Sequence, residues 1–215
     1  MIARTLYLSL LLPLPPLVAQ PSSIVSRGDR YIGAWIGFSP DSRVAQFRDP
    51  KRRLLAIGAH AEWVIESSGN FSLAANSDLI PLVIITRTPT YVTRDVMTPG
   101  GGIFQTNEQT GSKPVYGAGV SPFGFKLRIG SSPRIRFFGA SSVGGLWFTR
   151  NVPVPDARRF NFTFEYGGGI EAGGARQRTI TIGYKFHHLS NANSAAFNPG
   201  LDSDVLYIGV SRPRW

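Results

Sequence analysis

The chain has 215 residues and no cysteine, with 23 lysines and arginines against 13 acidic residues, a formal net charge of +10. Without cysteine there is no disulfide framework, no thiolate zinc site and no cysteine nucleophile. The positive balance favours an anionic partner. With an apparent export signal and no nucleic-acid-binding motif, that partner is expected to be an acidic membrane surface rather than nucleic acid.

The export signal comes first. Arg4 precedes an apolar run from Leu6 to Val18, interrupted by Ser9 and prolines, and Ala19-Gln20 offers a small-residue cleavage site. The run is too short and too proline-rich to cross a bilayer as a helix, so residues 1–19 read as a secretory signal peptide. No later stretch is apolar for long enough to form such a helix, and residues 20–215 are expected to form one domain.

From about Arg30 onward, short alternating segments are separated by Gly, Pro, Asn, Asp and Ser. Eight strands are predicted, at roughly 29–38, 54–66, 78–88, 116–129, 134–149, 159–172, 178–190 and 203–212. Three of them alternate clearly. In the second, Leu55, Ile57, Ala59, Ala61, Trp63 and Ile65 oppose Gly58, His60, Glu62 and Glu66. In the fourth, Phe123, Phe125, Leu127 and Ile129 oppose Gly124, Lys126 and Arg128. In the sixth, Phe160, Phe162, Phe164 and Tyr166 oppose Asn161, Thr163, Glu165 and Gly167.

A soluble lipocalin-like barrel or a sandwich alternates as well, so the environment must be read from other features. The strands match the length of about 9–11 residues that crosses a bilayer at a tilt. Aromatic side chains lie on the apolar face and charges such as Lys126, Arg128, Glu165 and Lys185 on the other. Eight strands close around an interior that side chains just fill, where polar groups can pair with one another. The expected fold is therefore all-β, an eight-stranded antiparallel transmembrane β-barrel of the bacterial outer membrane. With a periplasmic amino terminus, the connections at roughly 39–53, 89–115, 150–158 and 191–202 face outward and should be the longer set. The inward ones, at 67–77, 130–133 and 173–177, should be short, and 67–77 fits least well. The carboxyl-terminal Trp215 matches the terminal aromatic that recurs in outer-membrane barrels.

Several residues are set aside. His60 and His187 alternate onto the interior face, and His60 has no partner spaced for a metal site. Gly100–Gly102 and Gly167–Gly169 lack the lysine and hydroxyl of a phosphate-binding loop. Lys51, Arg52, Arg53, Arg150, Arg158 and Arg159 flank outward connections. They read as a solvated basic rim, with phosphate binding as the sharper possibility.

The seventh strand carries the chemistry. His188 and Ser190 are two residues apart, so they project from the same face, in line with Ile180, Ile182, Tyr184 and Phe186. A serine hydroxyl becomes a nucleophile when a base accepts its proton, and imidazoles as a class exchange protons near neutral pH. The base needs a third group to fix its tautomer. Asp202 starts the strand expected to pair with the seventh, and Asp204 would serve instead if the register differed by two. Asn191 and Asn198 are candidate donors to an oxyanion. Pro199 and Gly200 would hold the intervening loop in a defined turn that positions the substrate.

At His188-Leu189-Ser190-Asn191-Ala192 and Asn198-Pro199-Gly200 the chain resembles the lipid A 3-O-deacylase (PagL-like) family of outer-membrane enzymes. The resemblance implies an esterase that needs no cofactor and removes the 3-O-linked acyl chain from lipid A, with lipopolysaccharide in the outer leaflet as its partner. It further implies Ser190 as nucleophile, His188 as general base, and Asn191 and Asn198 as the oxyanion asparagines. The family places a glutamate where this chain has Asp202. Two other functions fit the pattern: an esterase acting on another lipid ester, and a noncatalytic barrel serving envelope integrity or adhesion through residues 89–115.

Overall fold

The computed structural model describes residues 25–44, 52–110, 113–130, 132, 134–173 and 178–214. The expected signal peptide, Lys51 and Trp215 lie outside these residues. Ten strands are present among the described residues: β1 (Arg30–Arg43), β2 (Arg52–Ser68), β3 (Phe71–Arg87), β4 (Thr90–Met97), β5 (Ile103–Thr110), β6 (Val115–Ile129), β7 (Ile135–Val152), β8 (Arg158–Ala172), β9 (Thr179–Ser190) and β10 (Leu201–Arg214). Eight of them close an antiparallel barrel in the order β1-β10-β9-β8-β7-β6-β3-β2. The other two, β4 and β5, form a separate hairpin in the connection between β3 and β6.

Two differences from the sequence expectation have a common cause. The third barrel strand begins at Phe71, not near residue 78, and the β2–β3 connection is only Gly69-Asn70. Gly69 takes φ +55°, a left-handed value that glycine adopts without a Cβ penalty. The inward side chains here, Ser72, Ala74, Asn76 and Asp78, are small or polar, and the outward ones include Ala75 and Ser77. Such a strand shows little apolar contrast between its faces. The β4–β5 hairpin escaped for the same reason, since polar residues occupy both faces of most of its length. With β3 extended, one end of the barrel carries residues 69–70, 130–134 and 173–178, and the opposite end carries 44–51, 88–114, 153–157 and 191–200, of which 153–157 is no longer than the turns at the first end.

Alternation sorts the wall into two surfaces. Phe123, Phe125, Leu127 and Ile129 on β6, and Phe160, Phe162, Phe164 and Tyr166 on β8, are all exposed on the outside. The inner surface divides along the barrel axis. Near the turns it is ionic. Lys126 Nζ and Arg128 Nε donate to Glu171 at 3.1 and 2.7 Å, both cations also reach Glu62, and Arg136 lies 3.6 Å from Glu171. Midway, Glu165 accepts from Lys185 at 2.9 Å and Ser142 at 3.1 Å, and meets His187 Nδ1 at 2.6 Å. Buried charges of this kind persist only when paired. Near the loops the interior is apolar, with Leu54, Ile80, Leu146, Phe148, Leu189, Leu201 and Val205 in one cluster. The outward rim therefore stands on a packed floor.

Candidate active site

The site is built where β9 meets β10. Leu189 pairs with Leu201 in the ladder, and both side chains are 0% exposed in the apolar interior cluster. With those two fixed inward, the strand period turns the flanking residues out. His188 and Asp202 are the next cross-strand pair, and His188 Nδ1 lies 2.6 Å from Asp202 Oδ1. Side chains directly opposite in an antiparallel pair have Cβ atoms about 4.5–5.5 Å apart, a gap an aspartate spans. Asp204 stands opposite Phe186 instead, where it accepts a hydrogen bond from Tyr184 at 2.5 Å and lies 3.8 Å from Arg43. The carboxylate at the imidazole is that of Asp202.

Gly200 holds the other side of the ring. Its φ is +68°, and a Cβ added there would sit 3.1 Å from His188 Cε1. Both the backbone shape and the close approach call for glycine. The imidazole is thus confined between a carboxylate and a bare backbone, while its side chain keeps 37% exposure.

Ser190 ends β9, and the loop that follows turns back over it. Ala192 and Asn193 both have positive φ, 51° and 59°, which makes an abrupt corner. At that corner Ala192 N–H donates to Ser190 Oγ at 3.1 Å, and Asn198 Nδ2 donates to the same oxygen at 2.9 Å. Asn198 Oδ1 accepts from the backbone N–H of Asn191 at 3.0 Å and lies 3.3 Å from Ser190 Oγ. Among the described residues no hydrogen bond joins Ser190 to His188. They share a face, as their spacing requires, but the hydroxyl is turned toward Asn198. Hydrogen bonds between a nucleophile and its base commonly tighten only when substrate arrives.

Asn191 and Asn198 differ in what they offer. The Asn191 side chain is fully buried and donates to the Phe197 carbonyl at 2.9 Å, so it braces the loop from beneath. Asn198 presents its amide directly at the serine.

The family profile described as "Lipid A 3-O-deacylase (PagL)" matches residues 86–211, more than half of the chain. The chain belongs to this family. No curated protein is a match. Among solved structures, the barrel is similar to that described as "Crystal structure of the outer membrane enzyme PagL", with TM-score 0.55 and 15% identity over 83% of this chain and 97% of that one. The attachment invasion locus protein Ail of Yersinia pestis gives TM-score 0.42 at 9% identity, over 86% and 99% of the two chains. OprG from Pseudomonas aeruginosa gives 0.39 at 11% identity, over 86% and 96%. This member of the deacylase family is an outer-membrane barrel.

The basic rim of this family member is corrected in part. Arg52 is buried and donates to the Pro153 carbonyl at 2.5 Å, so it ties β2 to the β7–β8 connection and is no free surface cation. Arg150 donates to the carbonyls of Lys113 and Pro114. Arg158 directs Nε and Nη2 at the Ser194 carbonyl, at 2.9 and 2.6 Å, and so clamps the loop that carries Asn198. That clamp, and the Ala192 N–H, were not singled out from sequence. The Asn193 that follows Ala192 was the available signal, because asparagine tolerates left-handed backbone and marks such corners.

Proposed function

We propose that the protein hydrolyses the 3-O-linked acyl ester of lipid A from the outer face of the barrel, with Ser190 as nucleophile, His188 as general base and Asp202 as the orienting acid. One observation carries the proposal. A bonded His–Asp pair and a serine held by an asparagine amide share the membrane-facing wall at its loop end. Polar groups on such a wall are costly, and the cost is met where they serve a membrane-embedded substrate.

Asp202 accepts a hydrogen bond from His188 Nδ1–H, which keeps the proton on Nδ1 and leaves Nε2 free to act as base. Ser190 Oγ gives its proton to Nε2 and forms a bond to the ester carbonyl carbon, whose π electrons move onto oxygen. Asn198 Nδ2 and the Ala192 N–H already converge on Oγ, so both lie beside the place where that oxyanion develops. Collapse of the intermediate breaks the bond to the sugar 3-oxygen, which takes the proton from His188. Water then repeats the sequence on the acyl-serine and releases the fatty acid.

The aromatic outer wall suits the leaving acyl chain. Phe162 is the cross-strand partner of Ser190 and Phe164 that of His188. Beyond them Tyr166 and Phe186 pack at a tilt with ring centroids 5.2 Å apart, extending the stripe toward the bilayer. An acyl chain lying on this stripe brings its carbonyl to the serine. With the longer loops outside the cell, the ester meets the site at the headgroup level of the outer leaflet, where lipid A resides.

The proposal is tested by mass spectrometry of lipid A from cells expressing wild type, Ser190→Ala or His188→Ala. Loss of one 3-hydroxyacyl chain with wild type alone is expected. Intact lipid A in all three, with each barrel folded in the outer membrane, would refute the activity and favour the noncatalytic barrel.

A further inference from the structure

Beside the serine, on its loop-end side, the wall opens into a groove of ≈ 410 Å³ lined by Trp147, Asn151, Arg158, Arg159, Phe160 and Ser194. We infer that this groove is the subsite for the phosphorylated sugar of the substrate, with Arg158 and Arg159 on the phosphate and the Trp147–Phe160 pair under the sugar ring. The inference rests on the deacylase proposal above and adds to it the recognition of the headgroup.

Position is the first argument. Phe162 stands opposite Ser190, and Phe160 is two residues nearer the loops, so the groove begins about 7 Å beyond the reacting ester along the strand direction. In a lipid with its acyl chains in the membrane, the sugar lies on that side of the ester. The catalytic loop itself supplies one edge, through Ser194.

The lining chemistry is the second. Trp147 and Phe160 are cross-strand partners with ring centroids 6.2 Å apart, and Trp147 is 62% exposed. That is a broad apolar platform at the height where a sugar presents its C–H face. Arg158 spends Nε and Nη2 on the Ser194 carbonyl but has a further terminal nitrogen, and Arg159 is exposed. Among the described residues neither forms an ion pair. Guanidinium groups bind phosphate through paired N–H donors, and no carboxylate lines the groove to compete. Because Arg158 also holds the loop, Arg159 is the residue whose loss reports on the phosphate alone.

The test compares lipid A with and without its phosphates, in detergent micelles, using the full barrel. Wild type should favour the phosphorylated lipid on the order of tenfold in kcat/KM, through KM, as expected for a charge-assisted contact. Arg159→Gln should bring that ratio close to one, Arg159→Lys should restore part of it, and Trp147→Ala should raise KM for both lipids. A ratio that is the same in Arg159→Gln as in wild type overturns the inference. If wild type cleaves neither lipid, the deacylase proposal fails, and the groove is judged by binding to the Ser190→Ala protein. Tighter binding of phosphorylated lipid A by Ser190→Ala than by Ser190→Ala/Arg159→Gln sustains the subsite, and equal binding removes it.

Discussion

His188 receives its carboxylate from directly across the sheet, and that placement decides which aspartate matters. Asp202→Asn keeps the shape but no longer stabilises the tautomer with Nε2 free, so kcat should fall by roughly 10⁴-fold, the scale known for such a change in a serine triad. Asp204→Asn removes a partner of Tyr184 and should cost little, as hydrolysis rates of the two purified variants will show. Equal, negligible losses would mean that neither acid orients the imidazole. That His188 and Ser190 share a face was legible because a period of two needs only their spacing and the face their neighbours occupy. The choice of Asp202 over Asp204 was not, because it depends on register, which the Leu189–Leu201 pairing sets. Nor was the division of labour between the asparagines. Whether an amide braces a loop, as Asn191 does, or faces the serine, as Asn198 does, follows from how the 191–200 loop folds.

At the scale of the element, the site depends on the apolar floor under the β9–β10 end. Leu201→Ala should leave a cavity beneath Asp202 and destabilise the barrel by about 2–5 kcal/mol, measured by urea unfolding in micelles. Activity should fall further than Asp202 contacts alone would explain, because the strand end that presents the acid loosens with it. A Leu201→Ala barrel with unaltered stability would show that the floor contributes nothing. Strands β6 and β8 were readable from sequence because bulky apolar residues alternate with small or polar ones over 123–129 and 160–166. The first half of β3 was not, since Ser72, Ala74, Asn76 and Asp78 fill a crowded interior where a small polar group suits as well as an apolar one. The β4–β5 hairpin was hidden because it has neither a lipid face nor a packed face to impose a pattern.

The whole molecule pairs an ionic interior near the short turns with an apolar one beneath the loops. Glu171 serves Lys126, Arg128 and Arg136 together. Glu171→Gln should therefore leave buried cations undercompensated and cost about 3–5 kcal/mol in unfolding experiments. The site lies at the other end of the barrel, so folded Glu171→Gln should still deacylate. The central claim is that the outer wall of this barrel carries an activated serine. It is tested most directly by treating the membrane-inserted protein with a long-chain alkyl phosphonate ester and mapping the product by peptide mass spectrometry. One phosphonyl group per chain on Ser190, absent in His188→Ala, is predicted. A folded protein that stays unlabelled, or is labelled at another residue, would contradict it.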